Sequence, residues 1–243
     1  MSQTLHKYDP ERLCTYLQHH VAEFSGLAEI VKFSDGQSNP TYKLTDTAGR
    51  HFVLRAKPPG TLLKSAHAVD REFRVMTALA TTAVPVPQML HLSGEDSPLG
   101  AQFLVMEHLE GRVFWDPALP EQSPKFRQDA YHALVRTLAA LHDVDPQAVG
   151  LADFGKPGNY FSRQVARWTG QYRACETQTR PDMDWTIAWL ERNMVPDDGQ
   201  TAIVHGDYRL DNVMFDAETP DMIAVLDWEL STLGHPFADL AYQ

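Results

Sequence analysis

The spacing of apolar positions changes several times along this chain. Residues 9–24 repeat at helical intervals, with Asp9 as a candidate N-cap and Pro10 suited to a first turn. AEIVKFS (28–34), TYKLTD (41–46) and HFVLRAK (51–57) then read as strands, separated by the turn formers DGQSNP and TAGR. Short turns between them predict an antiparallel meander. Helical spacing returns over residues 64–81, where Val69, Phe73, Met76 and Leu79 share a face. The prolines of VPVP (84–87) cannot continue a helix. QMLHLSG (88–94) and AQFLVMEHL (101–109) supply two more strands, so residues 26–109 read as a five-stranded sheet with one inserted helix.

The pattern shifts again near Glu110-Gly111-Arg112. From about 121 it is mainly helical: residues 130–144 place Leu134, Leu138 and Leu141 on one face, with Tyr131 a turn earlier. Residues 159–174 and 182–194 read as two further helices. TAIVHGDYRLDNVMFD (201–216) and MIAVLDWELS (222–231) return to short strands and loops. The fold class this predicts is α+β: an N-terminal helix and strand-rich lobe over residues 1–109, then a helix-rich lobe over 110–243. A cleft between two such lobes is a common place for a ligand.

Composition limits the function classes. With 243 residues the chain can form two small lobes around a sizeable core. No stretch approaches the about 18 apolar residues that a membrane-spanning helix needs, and the first 20 residues lack a basic head and apolar core. Cys14 and Cys175 stand far apart in unlike contexts, which fits a reducing cytoplasm better than a disulfide framework. The formal net charge of -11 disfavours sequence-independent nucleic-acid binding, which relies on Lys and Arg. It is compatible with a cationic substrate, although any bound cation would offset local negative charge.

Candidate chemistry concentrates in IVHGDYRLDNVMFD. Ile203 and Val204 lead into a dense polar run, and Val213, Met214 and Phe215 are apolar again. A polar loop between two strand-like runs is rigidly supported, as a catalytic group requires. IAVLDWE repeats the design and delivers Asp227 and Glu229. Phosphoryl transfer needs a carboxylate beside the attacking hydroxyl and hard oxygen ligands for Mg²⁺. Asp207 can be the first; Asn212 and Asp227 can be the metal ligands. His205 reads as a support of the loop, and Asp211 as a loop cap.

HGDYRLDN resembles the H-x-D-x-x-x-x-N catalytic loop of the aminoglycoside phosphotransferase-like kinases, and LDWE falls where protein kinases carry D-F-G. The longer run through AVLDWELSTLGHPFADLAY resembles the kinase-like domain fused to some acyl-CoA dehydrogenases, and its stand-alone bacterial relatives. This resemblance implies a bilobal protein-kinase-like fold binding ATP and Mg²⁺. It implies that Gly36, Ser38 and Asn39 in DGQSNP cover the phosphates, in a loop lacking the G-x-G-x-x-G pattern. It implies that Arg55 holds the α- and β-phosphates in place of the usual lysine, oriented by Glu72. The backbone of Glu107 and Leu109 would meet the adenine edge. Asp239, in FADLAY, would brace the catalytic loop from behind. Arg209 is either a phosphate or substrate contact or an exposed arginine. Glu229 either approaches the metal or substrate or makes a structural hydrogen bond.

The expected activity is ATP- and Mg²⁺-dependent phosphorylation of a small-molecule hydroxyl. A hydroxyacyl-CoA or hydroxy acid is the acceptor the resemblance favours. An aminoglycoside, choline or a sugar is the alternative within the family, and an inactive nucleotide-binding module the alternative outside it. No dehydrogenase-like region or dinucleotide fingerprint supports an oxidoreductase. Relatives of this kind continue with further helices after the bracing aspartate, so the helical lobe is expected to be incomplete and the acceptor half of the site less complete than the ATP half.

Overall fold

The computed structural model describes residues 9–33, 39–58, 68–94 and 97–242. Helix α1 (Pro10–His20) starts where Asp9 accepts the backbone N–H groups of Glu11 and Arg12, and Pro10 occupies the first turn. Strands β1 (Leu27–Lys32), β2 (Thr41–Asp46) and β3 (His51–Ala56) form the predicted meander. Helix α2 (Val69–Leu79) follows, then β4 (Met89–Leu92) and β5 (Phe103–Glu107), giving one antiparallel sheet of order β1-β2-β3-β5-β4. Residues 64–67 of the predicted helix lie outside the described residues, as do Gly36 and Ser38.

Strand periodicity decides which side chains reach the cleft. Phe52, Leu54 and Ala56 of β3, with Phe103 and Val105 of β5, pack under Leu13 and Leu17 of α1. The alternate residues, Val53 and Arg55 of β3 with Leu104 and Met106 of β5, therefore turn to the opposite face. On that side Leu104 joins Val69, Val75, Met76 and Leu79 of α2 in a second core that continues into the C-terminal lobe. One sheet thus separates a small core from a large one, and Arg55 lies on the side of the large one.

The second lobe is built on α3 (Pro124–His142), α4 (Tyr160–Cys175) and α5 (Pro181–Arg192). Leu134, Leu138 and Leu141 are buried as their spacing predicts. Tyr131 is a correction to that face: it is 39% exposed and its hydroxyl donates to Pro117 O at 2.6 Å, while Ala130 and Ala133 occupy the buried stripe beside the leucines. Two short antiparallel pairs carry the loops of interest. Strand β6 (Ala202–Val204) pairs with β9 (Thr232–Gly234), and β7 (Val213–Phe215) pairs with β8 (Met222–Val225). A four-residue helix, α6 (Phe237–Leu240), ends the described chain. Contacts between the lobes include the guanidinium of Arg71 on α2, which donates to Phe154 O (2.7 Å) and Ser231 O (3.2 Å), and Val225 N–H, which donates to Pro85 O at 2.8 Å; just past the junction Arg112 exchanges backbone hydrogen bonds with Phe215. Among the described residues no helix is long and apolar enough to cross a membrane.

Candidate active site

The 205–212 loop is held from below by buried groups. Strand β6 is fully buried and leads directly into His205, which has no exposed surface. The His205 Nε2–H donates to Leu226 O at 2.8 Å, and its Nδ1 accepts the Asp207 N–H at 3.2 Å. These partners require the neutral imidazole with the proton on Nε2. Burial lowers the His205 pKa, against opposing effects of the Leu226 carbonyl and the nearby carboxylates. Buried Asp239 accepts the N–H groups of His205 (2.8 Å) and Gly206 (2.7 Å) and meets His142 Nε2 at 3.1 Å. His205 and Asp239 therefore both lie against the loop and bond to its backbone. Gly206 is required: its φ is +84°, and an added Cβ would come within 2.8 Å of Leu230 O.

Above this support, Asp207 and Asn212 form one unit. A 3₁₀ turn at Leu210–Asn212 brings Asn212 back over the loop, where its Nδ2 donates to Asp207 O (2.9 Å) and Oδ2 (2.7 Å). The amide nitrogen is thereby committed, and Oδ1 is the atom left for a metal. The β7–β8 pair then sets Asn212 opposite the end of β8: Val213 pairs with Val225, and Leu226 N–H donates to Asn212 O at 2.8 Å. Asp227 follows at once, in left-handed backbone with φ +62° and ψ +59°. A non-glycine residue in this region costs energy and is held there by its surroundings. Here the anchor is Trp228, fully buried, its ring tilted against that of His205 with centroids 4.7 Å apart, and donating from Nε1 to Val225 O at 2.9 Å.

The N-terminal lobe contributes Arg55 and Glu72. Arg55 Nη2 lies 3.0 Å from Glu72 Oε1, 2.5 Å from Asp227 Oδ1 and 3.9 Å from Glu229 Oε2. Burial opposes the charge on Arg55, but the three carboxylates outweigh it and raise its pKa. Glu72 is 1% exposed, and burial pushes its carboxyl up to about 8; Arg55 opposes that rise, while Asp227 and Glu229 add to it. Glu229 also accepts from Asn39 Nδ2 at 3.4 Å. Asn39 is buried and so joins the loop after β1 to the metal-side segment, a structural contact rather than the open phosphate contact expected for that position.

The remaining candidates are less central. Arg209 is exposed and pairs with Asp211, so both are occupied with each other. Glu107 ends β5 with its N–H donated to Gln88 O (3.0 Å) and its carboxylate accepting the Gln88 N–H (2.7 Å). Leu109 follows on the segment between the lobes.

The donor set suits Mg²⁺. Oxygens of Glu72, Asp227 and Glu229 lie within 4.8 Å of one another, and both Glu72 oxygens lack a well-formed hydrogen bond. Hard carboxylate and amide oxygens of this kind are what Mg²⁺ takes. Asp227 and Asn212 would be the residues that hold it, supplying a carboxylate and an amide oxygen.

Beside this centre opens a cavity of about 470 Å³, bordered by Gly206 and Glu229. Its wall carries Arg71, Lys156, Arg163 and Arg167. The motif gave no sign of it, because the four cations come from α2, a loop and α4. The only linear trace is the i, i+4 spacing of Arg163 and Arg167.

Sheet, loop and carboxylate arrangement together define a kinase-like phosphotransferase, and the chain belongs to the phosphotransferase enzyme family: the family's sequence model matches residues 29–243. The chain is 50% identical over 218 residues to acyl-CoA dehydrogenase family member 10 of Mus musculus, covering 90% of this chain and 20% of that protein. It is 43% identical over 241 residues to acyl-CoA dehydrogenase family member 11 of Homo sapiens, covering 98% of this chain and 31% of that one. The chain therefore spans a third or less of these relatives. A solved structure from Ralstonia eutropha, provisionally named an aminoglycoside phosphotransferase, is 48% identical with a TM-score of 0.85, covering 98% of this chain and 69% of that one. The streptomycin–ATP ternary complex of an aminoglycoside 2″-phosphotransferase shares the fold at 17% identity and a TM-score of 0.64, covering 93% of this chain and 72% of that one.

Proposed function

We propose that this chain transfers the γ-phosphoryl group of ATP to a hydroxyl of a small molecule, with Asp207 as the base. The observation that carries this reading is the hydrogen bond from Asn212 Nδ2 to Asp207 Oδ2, at 2.7 Å, beside the strained Asp227. It fixes one carboxylate oxygen and leaves the other to meet an acceptor hydroxyl. Because the carboxylate is oriented before any substrate arrives, little is lost in ordering it during reaction.

Each residue then has a defined task. Asp207 orients the hydroxyl and takes its proton. Asn212 holds the Asp207 rotamer with its nitrogen and presents its oxygen to the metal side. Asp227 supplies the charged metal ligand, and Glu72 keeps Arg55 directed at the α/β-phosphates. Bound Mg²⁺ would supply positive charge against the phosphate oxygens. The backbone of Glu107 and Leu109 would receive the adenine edge, with Gly36 and Ser38 covering the phosphates.

For the acceptor, the relatives named acyl-CoA dehydrogenase favour a hydroxyacyl-CoA or a hydroxy acid. The cations around the adjoining cavity agree with an anionic acceptor and disagree with a polycationic aminoglycoside, which acidic walls would hold better. An inactive nucleotide-binding module would have no need to retain Asp207, Asn212 and Asp227 together. The reading is tested by incubating the chain with Mg-ATP and hydroxyacyl-CoAs, hydroxy acids, aminoglycosides or choline, and looking for a phosphorylated acceptor by mass spectrometry. Nucleotide hydrolysis with no phosphorylated product from any of them would count against it.

A further inference from the structure

The cavity beside the catalytic loop has a charge opposite to that of the chain. The protein carries a formal net charge of -11, yet Arg71, Lys156, Arg163 and Arg167 converge on one space of about 470 Å³. Among the described residues, none of the four is ion-paired with a carboxylate, whereas seven other cations of the chain are: Arg50, Arg55, Lys57, Arg74, Lys125, Arg173 and Arg209. Instead, backbone carbonyls position the two inner arginines. Arg71 donates to Phe154 O and Ser231 O, with the Phe154 ring 4.0 Å from its guanidinium carbon. Arg163 donates to Lys156 O (2.5 Å) and Pro157 O (3.4 Å). A carbonyl orients a guanidinium but does not neutralise it, so the positive charge stays available. Glu229 is the carboxylate on this wall, and it is turned to Arg55 and Asn39.

We propose that this cavity is an anion-binding subsite that grips a phosphate-bearing part of the acceptor through Arg71, Lys156, Arg163 and Arg167. Several cations around one space match a multiply charged phosphate better than a single carboxylate. The volume exceeds what a lone oxyanion needs and suits a larger ligand portion. Trp168, on the same wall, lies with its ring 5.5 Å from the Arg167 guanidinium carbon and offers a flat apolar surface beside the charge. Gly206, on the lining, precedes Asp207 directly, which sets the cavity beside the catalytic loop. Burial lowers the Arg71 pKa and the neighbouring Arg74 adds to this, while Asp70 and Asp153 oppose it from outside hydrogen-bond reach. The role in acceptor binding rests on the phosphotransferase reading; the affinity for the anion does not.

The test is calorimetric titration of the purified chain in Mg²⁺-free buffer, with pyrophosphate in one arm and succinate in the other. Arg163→Gln, Arg167→Gln and Lys156→Gln are compared with the unaltered chain. Lys156 and Arg167 are exposed, so their variants fold, and thermal melting checks all three. Pyrophosphate binding that weakens about tenfold or more in each glutamine variant, the scale of one lost charge-assisted contact, supports a phosphate subsite. The same dependence seen with succinate and not pyrophosphate keeps the subsite and assigns it to carboxylates. Binding of neither probe, or binding indifferent to all three substitutions, overturns the proposal. Once an acceptor is turned over, Arg167→Gln should raise its KM about tenfold and leave the KM for ATP unchanged. If the anion binds as stated but no acceptor is phosphorylated, the reaction assignment fails and the subsite stands.

Discussion

Arg55 on β3 and Asp227 after β8 lie 172 positions apart in sequence and meet at 2.5 Å across the cleft between the lobes. The same Nη2 reaches buried Glu72 at 3.0 Å. One guanidinium group thus compensates carboxylates drawn from both lobes. Removing it leaves buried charge unpaired, and breaking a buried pair costs about 3–5 kcal/mol. Arg55→Met is expected to lower stability by about that amount, measured by denaturant unfolding. Because Mg²⁺ can replace the lost positive charge, adding it should recover more stability in the variant than in the parent. Equal responses to Mg²⁺ would show that Glu72, Asp227 and Glu229 do not act as a cation site.

Asp239 supports the loop by accepting two backbone N–H groups and pairing with His142. Asp239→Asn keeps the size but cannot accept both N–H groups and the histidine together. Loss of hydrogen bonds to a buried charged group should cost about 2–3 kcal/mol. The expected signature is a fall in kcat with the KM for ATP retained, since Asp207 is displaced while the nucleotide lobe is untouched. A change in nucleotide affinity alone would place Asp239 in another role.

Asp46 gives the fold a sensitivity to acid. It is 1% exposed at the β2–β3 turn and accepts from Ser25 N and Oγ, Ala48 N, and Arg50 N and Nε. Burial raises its pKa, but these hydrogen bonds outweigh it and hold the carboxyl down from 3.8 to about 2. A depressed pKa means the folded form favours the charged carboxylate. Its contribution is complete above about pH 4 and is lost as pH falls towards 2. Asp46→Asn should lower the melting temperature at pH 7 and flatten its decline between pH 4 and pH 2. A parallel decline in both proteins would remove this carboxylate as the cause.

Much of the site was legible because its residues follow one another along strand-loop-strand segments. Asp207, Asn212 and Asp227 stand at fixed separations, and the apolar runs 203–204, 213–215 and 223–226 mark the strands that carry them. Arg55 and Glu72 were legible only through the family resemblance, which puts FVLR where kinases carry a phosphate-binding lysine and Glu72 on the helix that follows. What the pattern hid depends on long-range packing. The basic cavity assembles cations from unconnected elements, and α4 buries none of its residues, so its periodicity gave no inward face to read. Net charge was compatible with a cationic substrate and gave no hint of the cavity, because a sum over the chain says nothing about where four cations gather. Asn39 belongs to a turn-rich segment that reads as a phosphate cover, but its contact with Glu229, 190 positions away, exists only in the folded chain.

The central claim is that Asp207 is the base of a phosphoryl transfer. The direct measurement is single-turnover transfer from γ-labelled Mg-ATP to an accepted hydroxyl compound, comparing the parent with Asp207→Asn. Asparagine can still receive the Asn212 hydrogen bond but cannot take a proton. Transfer should slow on the order of 10²–10⁴-fold while ATP affinity stays the same. Transfer by Asp207→Asn at the parent's rate would contradict the account.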